Sequence, residues 1–314
     1  MKGKIYLRIF GGLGNQQFQY AYSKALAKLL NRKLVLDASY FNKLYFPKRK
    51  YGFYAPFELS NFNITETFTK GFLHHLLGVF AQSGRLLKKY QLYRNKFFFS
   101  SNLPYIVFNE DDDLTKIPDS CPIILNGYFQ KSNIFHDIRE KLLNDLSLID
   151  YSNLDSIKDI LQFEDGGSVS VHIRRGDYVS VSRINKRYTA LTKNYFQKAI
   201  EFIKLNRKVS KIIVFSNDID WVKNNIDFDI NTLYIDKSFD LTDLEEQHLM
   251  SRCDHNIISN STFAWWGAYL NGNPHKIVCA PDHWYSKHLK LKNVFYPNDW
   301  VVINTSEKIT ESDD

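Results

Sequence analysis

The sequence predicts an α/β protein of two Rossmann-like domains facing across a cleft. Three observations predict it. The chain opens strand, glycine turn, helix, strand, which is how a βαβ unit begins. From Ser168 onward, short apolar strands alternate with helices, the rhythm of a parallel sheet covered on both faces. Between these stretches lies Asp165-Gly166-Gly167, the strongest break in the chain. The domains are therefore expected at 1–165 and 166–314. With 314 residues, 44% of them hydrophobic, the chain is long enough to bury a sizeable core.

In the first half, "KIYLRIF" alternates as a strand and "GGLGNQ" is the turn. "QFQYAYSKALAKLL" then places Phe18, Tyr22, Leu26 and Leu29 at helical spacing. "KLVLDAS" is a second strand. Residues 40–66 are irregular. Helical spacing returns from Phe72, with Leu76 and Phe80 on one face, and again around Leu86, Leu87 and Tyr90. "PIILNGYFQ" reads as strand plus loop and "IFHDIREKLL" as a helix. In the second half the strands are "SVSVHI", "KIIVFS", "TLYID", "HNIIS" and "HKIVCA". The helices are "TKNYFQKAIEFIKLN", "DIDWVKNNI", "DLEEQHLMSRC" and "STFAWWGAYL".

Charge and cysteine content narrow the class. The net charge is +7, and Thr67–Lys96 holds six Lys or Arg with no Asp or Glu. One basic segment does not make a nucleic-acid surface. Its two readings are amphipathic helices packed on a core, or peripheral contact of 72–96 with an anionic membrane face. Three cysteines far apart, Cys121, Cys253 and Cys279, argue for a reducing compartment and against a disulfide framework. The start of the chain lacks an apolar signal core, and no apolar run reaches membrane-span length. The expected location is cytoplasmic, with the inner membrane face as the peripheral option.

Four segments carry candidate chemistry. "HIRRGD" ends a strand with His172, Arg174, Arg175 and Asp177. Arginine offers a permanent charge and a planar fork that suits phosphate oxygens. One arginine is expected to face a ligand while a carboxylate, by spacing Asp177, holds the other; the bland alternative is a surface ion pair. "GGLGNQ" places Gly14 and Asn15 where backbone can approach a ligand. With Asp37 it resembles part of a dinucleotide fingerprint, but Gln17 stands at the third glycine position. The amides of Asn15 and Gln16 suit hydroxyl groups. "FSND" puts Asn217 and Asp218 at a strand end, for a ribose or guanine edge or as a helix cap. "NSTFAWWGAYL" offers Ser261, Thr262 and Phe263 at a helix N-terminus, a ready phosphate site; Trp265 and Trp266 read as core. "EDDDL" reads as a charged loop. The adjacent His74 and His75 do not share a helix face, so no metal site is expected.

These four segments occur in the order found in the α-1,2-fucosyltransferases of glycosyltransferase family 11, and the chain resembles that family over both halves. The His-x-Arg-Arg-x-Asp signature is shared with a wider group of fucosyltransferases. The resemblance implies a GT-B fold and GDP-β-L-fucose as donor. It also implies inverting transfer without a metal to the 2-hydroxyl of a β-galactoside acceptor. The first domain would bind the acceptor and the second the nucleotide sugar. Arg174 would meet the departing diphosphate with His172 beside it, Arg175 would bind substrate next to them, and Asp177 would bind there too while fixing the loop. Asn217 and Asp218 would contact the nucleoside, and Ser261, Thr262 and Phe263 the diphosphate. Gly14 and Asn15 would approach the sugar and acceptor. The motifs carry no carboxylate on the acceptor side, so no base is assigned. The rival readings are an NAD-linked oxidoreductase, resting on Gly12, Gly14 and Asp37, and a glycan- or nucleotide-binding protein without turnover.

Overall fold

A computed structural model describes residues 3–41, 55–69, 105–107, 117, 119–150, 167–286 and 296–305. The chain divides into two compact units, Met1–Ile149 and Asp150–Asp314. Asp165 and Gly166 of the expected boundary lie outside the described residues. So do the 72–96 segment, His74, His75 and the acidic run at Glu110.

Unit 1 holds a parallel sheet in the order β3-β2-β1-β5-β4. The strands are β1 (Ile5–Arg8), β2 (Leu34–Asp37), β3 (Thr67–Phe68), β4 (Tyr105–Val107) and β5 (Ile123–Leu125). β1 is central, with Ile5 opposite both Leu34 and Ile123. Helix α1 (Leu13–Leu29) begins inside the segment the sequence reads as a turn. Gly12 is extended and acts as the N-cap, and Leu13 is already buried. Gly11, at φ +85°, makes the preceding reversal in a conformation that favours glycine. The expected helix at 134–143 is a 3₁₀ turn, Ser132–Ile138, running into α2 (Arg139–Asp145). The Tyr20 phenol ties α1 to its surroundings, 2.8 Å from carboxylate oxygens of both Glu66 and Asp145.

Unit 2 holds a six-stranded parallel sheet in the order β11-β10-β9-β6-β7-β8. The strands are β6 (Ser168–Ile173), β7 (Lys211–Ser216), β8 (Thr232–Ile235), β9 (His255–Ile257), β10 (Val278–Pro281) and β11 (Val301–Ile303). Counted from β6, the order is that of a dinucleotide-binding Rossmann sheet. The helices are α3 (Gly176–Ser180), α4 (Ser182–Asn185), α5 (Lys193–Asn206), α6 (Ile219–Asn225), α7 (Asp243–Arg252) and α8 (Thr262–Tyr269). The three-residue strands β4 and β11 escape the sequence reading because so short a run carries no period.

Every residue of β6 is buried. Val169, Val171 and Ile173 join Phe196, Ile200 and Ile203 of α5 in the core. The alternate residues are polar, and each is paired. The Ser168 hydroxyl donates to Asp254 at 2.8 Å, and the Asn256 amide donates to Ser170 at 2.7 Å. His172 Nδ1 lies 2.7 Å from the Ser259 hydroxyl. This ladder of side-chain bonds runs along the seam between β6 and β9. It satisfies groups whose burial would otherwise cost about 1–3 kcal/mol each.

Trp265 and Trp266 are fully buried, as the sequence reading expects. All three cysteines are buried free thiols. Burial pushes Cys279 up to about 12 and Cys253 higher still, so both stay protonated. Among the described residues, no helix is long and apolar enough to cross a membrane.

Candidate active site

In an open parallel sheet, ligands bind beyond the C-terminal strand ends, where the strand order reverses. In unit 2 that place lies between β6 and β9. The chain leaves β6 into "RRGD" and leaves β9 into "ISNSTF", so two of the four segments meet there.

His172 is 5% exposed. Its ring packs against Phe263, with centroids 5.6 Å apart. Burial, and then the neighbouring Arg174 charge, push its pKa down to about 3. It is therefore a neutral hydrogen-bonding group at physiological pH.

The two arginines differ. Arg174 Nη2 lies 2.9 Å from Asp177 Oδ1, a close ion pair not aligned as a hydrogen bond. Its side chain is 35% exposed, against 16% for Arg175. Arg175 is held on several sides. Its guanidinium carbon sits 3.4 Å from the Trp221 ring centroid, and Nε is 3.4 Å from Asp218 Oδ2. Its backbone N–H donates to Asn217 at 3.0 Å. Both arginines have carboxylate partners, and Asp177, expected to hold the arginine turned from the ligand, instead holds the one assigned to it, while Asp218 holds Arg175. Asp218 stands at the N-cap of α6 without capping it, because its carboxylate turns to Arg175. Gly176 is needed where it is. A Cβ there would come within 2.4 Å of Asn217 Nδ2 and displace the group that anchors Arg175.

Ser261 is the N-cap of α8, without a side-chain cap bond. The first helical bond runs from Trp265 N–H to the Ser261 carbonyl at 2.9 Å. The N–H groups of Thr262, Phe263 and Ala264 therefore have no intrahelical acceptor. Asn260 is fully buried and donates to the Trp284 carbonyl at 2.9 Å, which bolts the turn down. The edge thus combines a cation, a neutral imidazole and a helix N-terminus, a suitable cradle for an anionic leaving group.

In unit 1 the central strand β1 lies beside β5, and the loops after both leave from the same end of the parallel sheet. Gly14 is buried in the first turn of α1, so close approach falls to Gly11 and Gly12 instead. Asn15 is half-buried, and its Oδ1 accepts from Gln130 Nε2 at 2.9 Å. Gln16 does not serve beside it. Its amide donates to the Gly11 and Pro56 carbonyls and its oxygen accepts from Glu58 N–H, so it is spent on the fold. Asp37, central to the dinucleotide rival, is fully buried and accepts from Ser39 and Thr69. A cavity of about 730 Å³ in unit 1 lies elsewhere, against Lys24, Lys28 and residues 136–141, towards the far end of α1.

The profile of Glycosyl transferase family 11 matches residues 4–304. The chain belongs to glycosyltransferase family 11. One family 11 relative, the O-antigen biosynthesis glycosyltransferase WbnK of Escherichia coli, is 34% identical over 92% of this chain and 97% of its own length. The alpha-1,2-colitosyltransferase of Escherichia coli is 30% identical over 95% of this chain and 98% of its own. Among solved structures, Arabidopsis thaliana FUT1 in complex with GDP superposes with a TM-score of 0.55 at 13% identity, covering 87% of this chain and 69% of that one. That likeness establishes the GT-B-like α/β fold of this family 11 glycosyltransferase.

Sequence reasoning misses Trp221, Ser259 and Gln130. Trp221 lies three residues after Asp218, a helical neighbour of it. Ser259 directly precedes the polar run it belongs to. Gln130 closes the "NGYFQ" loop after β5. Glu246 is on α7, whose Gln247 donates to the Phe263 carbonyl at 3.1 Å at the start of α8. Burial, then the Asp243 charge, push the Glu246 carboxyl up to about 7.

Proposed function

We propose that the protein transfers L-fucose from GDP-β-L-fucose to the 2-hydroxyl of a terminal β-galactoside, with inversion and without a metal ion. The observation that carries this reading is Arg174. It is the more exposed of two adjacent arginines, at the switch point of a Rossmann-ordered sheet and beside the start of α8.

Cleaving the sugar–phosphate bond loads negative charge onto GDP, and preorganised positive groups lower that barrier. In this reading Arg174 takes the charge on the diphosphate, and the first-turn N–H groups at Thr262 and Phe263, with Ser261, share it. His172 stays neutral and lines the same pocket. Asp177 fixes Arg174. Asp218 and Asn217 hold Arg175 and contact the nucleoside from the same loop. In unit 1, Asn15 serves the acceptor. The GDP in the plant structure supports the nucleotide, and the α-1,2 linkage in the name of the bacterial relative supports the regiochemistry.

That relative also motivates a second donor. Colitose differs from fucose only in lacking the 3-hydroxyl, so GDP-colitose fits the same cation and helix end. The rival classes are an NAD-linked oxidoreductase and a binding protein without turnover.

The test is calorimetric titration of GDP into the protein in EDTA, with NAD as control. GDP binding without NAD binding is expected. Transfer assays with GDP-fucose and GDP-colitose on a β-galactoside then choose the donor. NAD binding with no response to GDP would end the transferase reading. GDP binding without transfer from either donor would leave a binding protein.

A further inference from the structure

The Asn15–Gln130 pair leaves two polar groups unused. Asn15 Oδ1 accepts from Gln130 Nε2, and no hydrogen bond among the described residues engages Asn15 Nδ2 or Gln130 Oε1. The pair therefore presents one amide donor beside one carbonyl acceptor. A sugar hydroxyl is donor and acceptor at once, and it can satisfy both.

An aromatic ring stands beside this pair. Tyr128, two residues before Gln130 in the loop after β5, is 48% exposed. Phe10, at the end of β1, braces it edge-on with centroids 5.0 Å apart. Tyr40 supports Phe10 in turn at 5.9 Å. Gly11 joins the two parts: its Cβ position would be 3.3 Å from Asn15 Cβ and 3.6 Å from Tyr128 Cε1. A Cβ on Gly12 would meet none of the described residues within 4 Å. The place is the C-terminal edge of the unit 1 sheet, beyond the adjacent parallel strands β1 and β5, the edge at which ligands of such sheets bind.

The charge here contrasts with unit 2. Arg8 is buried, with Nη1 3.3 Å from Asn126 Oδ1 and its charge beside Asp37. Its cation is taken up by Asn126, Asp37 and the face of Tyr40, 5.7 Å from the ring centroid. The ligand chemistry is therefore neutral and polar with one apolar face. A β-galactopyranose has that character, with C–H bonds gathered on one face to meet the electron-rich ring and hydroxyls at its rim.

We infer that Tyr128, Asn15 and Gln130 form the pyranose subsite for the acceptor saccharide, with Tyr128 as stacking platform and the amide pair as hydroxyl reader. This deepens the transferase reading and rests on it for the identity of the ligand.

The test separates the two. In transfer assays, Tyr128→Ala raises the acceptor KM about tenfold or more, whereas Tyr128→Phe, which keeps the ring, stays near wild type. Gln130→Ala removes one hydrogen bond and raises it about fivefold. The GDP-fucose KM moves by less than about twofold in each, because uniform loss of one substrate's binding shows in that substrate alone. Saturation-transfer NMR of a β-galactoside reads the same loss without turnover. If Tyr128→Ala does not fold, Tyr128→Leu replaces it. Acceptor KM and NMR signal unmoved in both the Tyr128 and the Gln130 variants would overturn the subsite and leave the transferase standing. A rise in donor KM as large as the acceptor's would overturn it too. Wild-type protein that binds the galactoside through Tyr128 but consumes no GDP-sugar would sink the transferase reading and keep the subsite.

Discussion

Nδ1 of His172 lies 2.7 Å from Oγ of Ser259, the last rung of the polar ladder between β6 and β9. This bond sets the spacing between the arginine loop and the start of α8. Ser259→Ala should cost about 1 kcal/mol of stability. It should also weaken GDP binding several-fold, because the two halves of the cradle lose their tie. Calorimetry on the folded variant checks it. GDP affinity equal to wild type would reduce the ladder to a purely structural role.

The two arginines should fail differently. Arg174→Ala is expected to lose on the order of 10²–10³ in kcat, the usual cost of removing one preorganised charge-stabilising donor. Arg175 is gripped by Trp221 and Asp218, so its loss should loosen the loop and raise the donor KM. Trp221→Leu should imitate Arg175→Ala in direction and not Arg174→Ala. Steady-state kinetics with circular dichroism distinguish the patterns. Near wild-type turnover in Arg174→Ala would remove the clamp.

Gly176→Ala drives a methyl group into Asn217. The expected result is a higher donor KM with the fold retained, since Asn217 can swing out at the cost of its bond to the Arg175 N–H. The double variant with Asn217→Ala should be no worse than Asn217→Ala alone. An additive loss would show that the clash acts elsewhere.

Activity in excess EDTA should remain within about twofold of the untreated enzyme, because Arg174 supplies the charge a cation would otherwise bring. Loss on chelation with recovery by Mn²⁺ would return the Glu110–Leu114 acidic run to consideration.

The Glu246 contribution to the pH dependence of stability has a definite sign. Glu246 is raised from 4.5 to about 7, so between those values the folded chain binds more protons than the unfolded chain. Stability from this group is full below 4.5 and falls as pH rises through about 7. His172 and His248, lowered from 6.5 to about 3 and about 4, and His255, also lowered, act oppositely up to about 7.5. Glu246→Gln is therefore expected to remove only the part that lowers melting temperature between pH 4.5 and 7, so that its melting temperature rises more steeply with pH there than the wild type's (about 2–4 °C per kcal/mol). The same slope in both proteins would clear Glu246 of the effect.

Much of the fold is legible in the sequence because period and punctuation are local. The β6 run "SVSVHI", the helix over Lys193–Asn206 and the start of α8 each carry their own pattern. The motifs also rank the residues that matter, since a strand end followed by two arginines points to chemistry on residue type alone. What the sequence by itself determined is the class of element at each place and the list of candidate groups.

Partnership came only from the tertiary structure. The alternation in β6 would suit a strand with one wet face; burial of both faces follows from Asp254, Asn256 and Ser259, more than eighty positions away, meeting its polar residues. Asn15 takes Gln130 and not its neighbour Gln16. Arg174 and Arg175, adjacent in sequence, end in different environments. Hydrogen bonds and ion pairs are short-ranged, and chain folding, not sequence spacing, decides which groups come within their reach.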